Sequence, residues 1–258
     1  SNFQSFRELT QVSTTVSEKV APSDWLTTTS TGERINKVIA VMGANGSGKT
    51  TLLKPLVFLD WFISHSFSQA PEAAIPFTPH FATTNEATEF SATAIYKGQI
   101  WKYVLRCIPE RVIHEALYVK RERFKYVFVR DWDDSTQTYR IKQQDFGFAP
   151  VEARKVRANA SLISTAAQYG IPLAKDMASS GLRSNITALG RQPLSQDLVL
   201  NAAAHFSQLS EQRTIMARLL HDWDLGLSNV ELEEISVAQP DGSNNKIWLP
   251  VGIHQTAS

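Results

Sequence analysis

The residues best suited to chemistry form one glycine-rich stretch, Gly43-Ala44-Asn45-Gly46-Ser47-Gly48-Lys49-Thr50. Glycine lets the backbone take positive φ and approach an anion closely, because no Cβ stands in the way. The lysine supplies an ammonium for the β- and γ-phosphates of a nucleotide, and the threonine hydroxyl is suited to Mg²⁺. The stretch therefore predicts a P-loop for ATP and Mg²⁺, with Thr50 on the metal and a binding set of Gly43, Asn45, Gly46, Ser47, Gly48, Lys49, Thr50 and Thr51.

The flanking segments have the composition of the elements that must position this loop. Residues 37–42 are a short, apolar, β-branched run, which predicts a buried strand. Residues 51–63 are a long apolar run suited to a helix, with a kink expected at Pro55. The first N–H groups of such a helix have no helical partner and would face the phosphates. A strand, a glycine-rich turn and a helix together form the context that a phosphate site requires.

The composition is that of an ordinary globular protein. Of 258 residues, 43% are hydrophobic, and the formal net charge of +1 argues against a dedicated nucleic-acid coat. No apolar run reaches the roughly 18 residues of a membrane span and no signal peptide is visible, so we expect a cytoplasmic protein without a membrane partner. The single cysteine, Cys107, predicts a buried structural thiol, and the spacing of the six histidines predicts no zinc site.

Hydrophobic patterning predicts an α/β protein in three parts. Residues 1–149 are strand-rich apart from the P-loop helix and form the nucleotide-binding lobe. Residues 150–225 are dominated by helical periodicity and predict a helical subdomain. Residues 226–258 return to alternation and predict a β-hairpin that rejoins the nucleotide-binding core.

Within these parts, turn residues and periodicity predict individual elements. A hairpin is expected to turn at Lys97-Gly98, and a second around residues 131–135. Helices are expected over residues 151–169 and 194–223, with a linker between them that includes residues 178–192. The cluster at residues 239–243 is expected to turn the last hairpin.

A hydrolysing P-loop enzyme also needs an acidic residue at the end of an apolar strand. Only residues 126–131 have this shape, but their alternation with charge favours an ordinary hairpin strand over a catalytic role for Asp131. Residues 209–213 echo the Leu-Ser-Gly-Gly signature of ABC ATPases, yet both glycines are missing. The catalytic carboxylate is therefore unassigned in this sequence.

These features resemble the RecF/SMC/OLD-like branch of ABC-type ATPases, and more narrowly the stand-alone prokaryotic AAA-family ATPases linked to phage defence and abortive infection. The resemblance rests on the P-loop and on Asn2-Phe3-x-Ser5-Phe6, in which Gln4 stands where the family commonly has Arg or Lys. Further matching positions are Pro76-Phe77, Glu89-Phe90, Tyr103, Glu115-Ala116-Leu117, residues 224–235 and His254. The resemblance implies an ABC-ATPase-like P-loop head with an inserted helical subdomain.

The resemblance also implies that these residues are the N-terminal and helical portions of a longer ATPase, whose signature and acidic strand lie in a C-terminal half. Two heads of such proteins sandwich ATP, so a homodimer or higher oligomer is expected. The implied function is an ATP-hydrolysing switch or scaffold for an effector, such as a nuclease or toxin, in anti-phage defence.

Two alternatives remain open at this stage. The first is a RecF/SMC-like DNA-binding ATPase of DNA repair or maintenance, whose basic surface would come from one of two charge runs. These runs are Arg154, Lys155 and Arg157, and Lys120, Arg121, Arg123 and Lys125. The second alternative is a nucleotide-binding interaction module that does not hydrolyse ATP.

Overall fold

The protein is described here from a computed structural model that covers residues 1–29, 32–179, 182, 184–187, 190, 195–223, 226–238 and 244–254. The chain divides into two compact units, Ser1–Arg191 and Gln192–Ser258. Helices and sheets occur in both, as expected for the mixed α/β class. The predicted division into residues 1–149, 150–225 and 226–258 stays a prediction.

The first unit begins with a small sheet and the P-loop helix. The sheet has the order β1-β3-β2, and its strands are β1 Thr15–Val16, β2 Leu26–Thr28 and β3 Arg34–Asn36. Helix α1 follows the glycine-rich loop over Lys49–His65, close to the predicted range, and a 3-10 turn continues it over Ser66–Ser68.

A five-stranded antiparallel sheet forms the centre of the first unit. Its strands follow chain order and are β4 Thr88–Tyr96, β5 Gln99–Ile108, β6 Arg111–Lys120, β7 Phe124–Asp133 and β8 Thr138–Gln143. The predicted hairpin at Lys97-Gly98 is confirmed, and both of its turn residues have positive φ. The second predicted hairpin is confirmed as well, although its turn lies at residues 134–137, three residues beyond the predicted start.

The core lies between one face of this sheet and helix α1. Alternate positions of the strands, including Phe90, Leu105 and Phe128, are buried because successive side chains of a strand point to opposite faces. Phe58 and Phe62, one helical turn apart on α1, have no exposed surface. The rings of Phe58 and Phe90 lie 4.8 Å apart, so the P-loop helix is fixed directly against the sheet.

Three short helices complete the first unit: α2 Pro150–Ala153, α3 Leu162–Gln168 and α4 Pro172–Ala178. Helices α3 and α4 pack against each other and against α1. The prediction of helix over residues 151–169 is wrong for the middle of that range. Carbonyls of Val156, Arg157 and Ala160, which a continuous helix would need for its own bonds, accept hydrogen bonds from the Arg130 guanidinium.

The second unit consists of two helices and one long hairpin. Helices α5 Gln196–Ser207 and α6 Ser210–Asp222 pack on β10 Asn244–His254 and β9 Leu227–Ala238, respectively. The two strands pair antiparallel, which confirms the predicted hairpin. The predicted turn at residues 239–243 lies outside the described residues, as does most of the predicted linker over 178–192.

The predicted buried strand over residues 37–42 is wrong. In the described part of the chain these residues pair with no strand, and Val38, Ile39 and Met42 are exposed. A β-branched run fits a pleated surface only when a neighbouring strand supplies its hydrogen bonds. The sequence shows the β-branched composition of residues 37–42, but it does not show whether another strand lies beside them.

Candidate functional site

The glycine-rich loop has the backbone geometry of an anion cradle. Gly46 and Gly48 have φ of +81° and +85°, a region that side chains with a Cβ rarely adopt. An added Cβ at Gly43 would lie 2.7 Å from the Ser47 hydroxyl, so a larger residue there would force the Ser47 side chain to rotate. All three glycines are thus used for conformation or for space.

Helix α1 begins directly at the end of this loop. Gly48 is its N-cap residue, and the Leu52 N–H donates to the Gly48 carbonyl at 2.9 Å to close the first turn. The N–H groups of the first turn have no intrahelical acceptor, and they carry the positive end of the helix dipole. Gly48 has no side chain with which to satisfy them. The start of α1 is therefore free to bind a phosphate.

The Lys49 ammonium lies over the loop. Its Nζ donates to the carbonyls of Gly43 at 2.8 Å and Ala44 at 2.6 Å. An ammonium has three N–H donors, so these two bonds leave one donor for a phosphate oxygen. The next residue, Thr50, is exposed on the first turn of α1.

The N-terminal residues form a tight turn that packs against the same loop. Phe3 and Phe6 exchange backbone hydrogen bonds of 2.8 and 2.9 Å, which places Gln4 and Ser5 at the tip. The Ser5 hydroxyl and the Phe6 ring lie 3.4 and 3.6 Å from the position of a Cβ at Gly48. The side-chain amide oxygen of Gln4, Oε1, accepts from Lys54 Nζ at 3.0 Å. The family resemblance indicates that these N-terminal residues are important, but the sequence does not predict that they contact α1.

Asn2 anchors this N-terminal turn. Its side-chain amide is buried and makes four hydrogen bonds, the full number that an asparagine can form. Nδ2 donates to the carbonyls of Thr83 and Glu86, while Oδ1 accepts from the His80 N–H and the Thr83 hydroxyl. The turn beside the P-loop is therefore held by residues more than 75 positions away in the chain.

A buried polar network lies at the other end of α1. Glu115 on β6 and Arg130 on β7 both have fully buried side chains and form an ion pair. The Glu115 carboxylate also accepts from the Tyr103 hydroxyl at 2.9 Å and the Ser161 hydroxyl at 2.7 Å. The Leu162 N–H donates to both carboxylate oxygens at 3.0 Å, so the carboxylate caps the start of α3.

This network reaches the C-terminal end of the P-loop helix through two serines. The Ser66 hydroxyl donates to the Phe62 carbonyl of α1 and accepts from the Ser161 N–H at 2.9 Å. Ser161 in turn contacts Glu115, as described above. The two ends of α1 therefore have different supports: the N-terminal turn at the phosphate side and the sheet network at the far side.

Other groups singled out from the sequence lie in ordinary structural contacts. Asp131 is on β7, where its carboxylate lies 2.6 Å from His114 Nδ1. His254 Nδ1 lies 3.1 Å from the Gly226 carbonyl within the second unit. Across the described residues, no three metal-ligating side chains gather in one place, and no helix is long and apolar enough to cross a membrane.

The two charge runs differ in their surroundings. In the first, Lys155 pairs with Glu152, and the Arg157 guanidinium donates to the carbonyls of Phe67 and Gln69, so these groups support the fold. In the second, Lys120 pairs with Glu33 at 2.9 Å. Arg121, Arg123 and Lys125 instead line an open cleft together with Trp101 and Tyr126.

Comparison with known families gives a match over residues 38–200, a range that contains the P-loop, helix α1 and the five-stranded sheet. No curated protein and no solved structure matches the chain. The matching family model covers well over half of the sequence and is described as "AAA domain, putative AbiEii toxin, Type IV TA system". The chain therefore belongs to this family of AAA domains.

Proposed function

We propose that this protein binds and hydrolyses ATP and acts as a nucleotide-driven switch for an effector, such as a nuclease or toxin, in anti-phage defence. The observation that carries the proposal is the loop over residues 43–50, whose glycines, lysine and helix start form one phosphate cradle. The family supports an ATPase with a theme of abortive infection. The effector and the ABC-type head belong to the proposal.

In this proposal each residue of the loop has a distinct task. Backbone N–H groups from Asn45 to Thr51 bind the β- and γ-phosphates, and Lys49 adds its remaining N–H donor. Thr50 would hold Mg²⁺ through its hydroxyl, because this exposed residue follows the lysine directly on the first turn of α1. A bound Mg²⁺ would neutralise charge on the phosphate oxygens.

The surroundings of α1 support a switch. Gln4 and Ser5 contact the start of the helix, and Ser66 ties its end to Glu115 and thus to the sheet. A ligand that favours one position of α1 would therefore bias both the N-terminal turn and the sheet network. Such a shift needs only that ATP bind one arrangement better than the other.

The first test is the affinity of Lys49→Ala for ATP with Mg²⁺, measured by titration calorimetry. Loss of a hydrogen bond from a charged group costs about 1.5–3 kcal/mol, which corresponds to roughly ten- to hundredfold weaker binding. Lys142→Ala is the matched control, because Lys142 is an exposed lysine on β8 outside the loop. Equal ATP affinity in wild type, Lys49→Ala and the control would refute the P-loop assignment.

The second test separates hydrolysis from binding. Release of phosphate from ATP should be measured across a range of protein concentrations, because two heads that share one nucleotide give activity that rises faster than concentration. Activity that is lost in Lys49→Ala and rises in this way supports the switch. Tight ATP binding without phosphate release would instead favour the interaction module that does not hydrolyse.

A further inference from the structure

A cleft on the first unit, beside the turn between β6 and β7, has no part in the proposed ATP chemistry. It has a volume of about 800 Å³, within the range of ligand-binding clefts. Strands β5, β6 and β7 and helix α4 line it, with residues that include Trp101, Val119, Lys125 and Leu173. We call it the bulge cleft, because an irregularity of β7 determines which side chains face it.

The pairing of β6 with β7 shifts by one residue beside this cleft. Leu117 pairs with Phe128, but the next residue of β6 pairs with Tyr126. Val127 is therefore an extra residue of β7, a β-bulge, and both Val127 and Phe128 are buried. In a regular strand, Lys125 and Phe128 would lie on opposite faces, because they are three positions apart. The bulge instead places Lys125 on the face of the sheet that carries the core.

Lys125 shares this face with an apolar row. It pairs in register with Val119, which pairs with Trp101, and paired residues of an antiparallel sheet project from one face. Val119 and Val127 are only 8% and 6% exposed and belong to the core, against which Trp101 and Leu173 pack. The Lys125 ammonium is therefore carried at the edge of an apolar floor.

The charged residues around this floor carry an excess of positive charge. Arg121 and Arg123 lie in the turn between β6 and β7, where the Arg121 N–H donates to the Arg123 carbonyl at 3.1 Å. Glu122 and Asp145 line the cleft as well. In the part of the chain that the structure describes, neither these four residues nor Lys125 form an ion pair. Three cations thus face two carboxylates, which favours a ligand with a negative charge.

We propose that the bulge cleft binds a small aromatic anion, a ring system that bears a carboxylate, sulfonate or phosphate group. The ring would lie on the apolar floor beside the Trp101 indole, and removal of this apolar surface from water would favour binding. The anionic group would contact Lys125 and Arg123. The exposed Phe124 ring cannot extend the floor, because Phe124 pairs with Lys120 on the opposite face of the sheet. The ligand is therefore small.

The test is a titration with anilinonaphthalene sulfonate, an aromatic anion whose fluorescence rises on apolar surfaces, in the absence of ATP. Lys125→Met removes the charge and keeps an apolar side chain, so we expect roughly ten- to hundredfold weaker binding. Lys142→Met is the matched control and should bind the probe like wild type. Lys142 is an exposed lysine of β8, and its pairing with Val129 places it on the opposite face of the sheet.

Two further compounds separate the ring from the charge. Phenylnaphthylamine has the same rings without the sulfonate, and it should bind wild type and Lys125→Met alike. Methanesulfonate has the anionic group without the rings, and it should not displace the fluorescent sulfonate.

The proposal is overturned if Lys125→Met binds the fluorescent sulfonate like wild type, or if phenylnaphthylamine distinguishes the two proteins as strongly as the sulfonate does. It is also overturned if methanesulfonate displaces the probe. Displacement by a single-stranded oligonucleotide would overturn it too, in favour of a nucleic acid as the occupant. The proposal does not depend on the proposed ATPase function, and because ATP is absent, failure here leaves that function untouched.

Discussion

Glu115 and Arg130 form an ion pair inside the first unit, with 3.4 Å between Oε2 and Nη1 and no exposed surface on either side chain. Charges removed from water are costly unless further hydrogen bonds satisfy them. Here Arg130 also donates to three carbonyls and lies 3.8 Å from the centre of the Tyr139 ring. The pair joins the sheet to the loop before α3 and, through Ser161, to the P-loop helix.

We expect Glu115→Leu to lower the free energy of unfolding by about 3–5 kcal/mol, because it leaves the Arg130 charge buried and unpaired. The double variant Glu115→Leu, Arg130→Met removes both charges and should be less destabilised than the sum of the two single variants. Urea unfolding followed by tryptophan fluorescence measures these losses. Losses that simply add would show that the two side chains are not coupled.

Gly48 and Gly98 offer a matched pair for testing the loop. Their φ values are +85° and +74°, and an added Cβ would meet only ordinary contacts at Gly48 and open space at Gly98. Substitution by alanine should therefore cost each protein about 1–2 kcal/mol of backbone strain. Only Gly48→Ala should also weaken ATP binding, because relief of the strain moves the N–H groups at the start of α1. Both variants need a thermal melt and an ATP titration. Equal ATP affinity of the two would contradict the proposed role of the loop.

Much of the fold could be predicted from local pattern. Much of β5 and all of β8 alternate more and less buried residues, and the turn residues Lys97-Gly98 give a clear hairpin signal. Residues 37–42 show the limit of such patterns, because a strand also requires a partner that lies elsewhere. The break between α2 and α3 shows another limit. It depends on Arg130 of strand β7, whose guanidinium donates hydrogen bonds to carbonyls within the range of the predicted helix.

The candidate site also has a part that the sequence predicts and a part that it does not. The P-loop was visible because all its groups are consecutive in the sequence. The contacts of Gln4 with Lys54, and of Ser66 with Ser161, join residues that are 50 and 95 positions apart. Hydrophobic periodicity describes neighbouring residues along the chain, so it cannot predict contacts between residues so far apart in the sequence. The positive φ of Asn2 and Gln4 is a local signal of a special turn, but it becomes visible only with coordinates.

The Cys107 thiol is expected to be inert in the native protein. Burial and, to a lesser extent, the nearby Glu115 carboxylate raise the pKa of this thiol well above its ordinary value. Since the thiolate is the reactive form, a thiol reagent should react slowly in native buffer and at once in denaturant. A Ser135→Cys variant supplies an exposed thiol in the turn between β7 and β8 as an internal reference. Equally fast reaction of both thiols in native buffer would contradict the burial of Cys107.

Asn2 allows a sharper test, because its amide can be exchanged for a group of the same shape. Asn2→Asp keeps an oxygen acceptor for the His80 N–H and the Thr83 hydroxyl, but turns a negative charge toward the carbonyls of Thr83 and Glu86. Asn2→Ala removes all four bonds and leaves buried groups unsatisfied, at a cost of about 1–3 kcal/mol for each group that water cannot reach. Both variants should therefore be less stable than wild type near neutral pH.

The two Asn2 variants should differ in their response to pH. Burial and the facing carbonyls raise the pKa of the introduced carboxyl in the folded state, so its protonated form is the one that favours folding. Stability of Asn2→Asp should be recovered as pH falls through that raised pKa, because the protonated carboxyl can donate to a carbonyl. Asn2→Ala has no such group, and its difference from wild type should stay constant with pH. Urea unfolding of the three proteins over a mildly acidic to neutral pH series measures this, and parallel curves for both variants would contradict the buried position of the Asn2 amide.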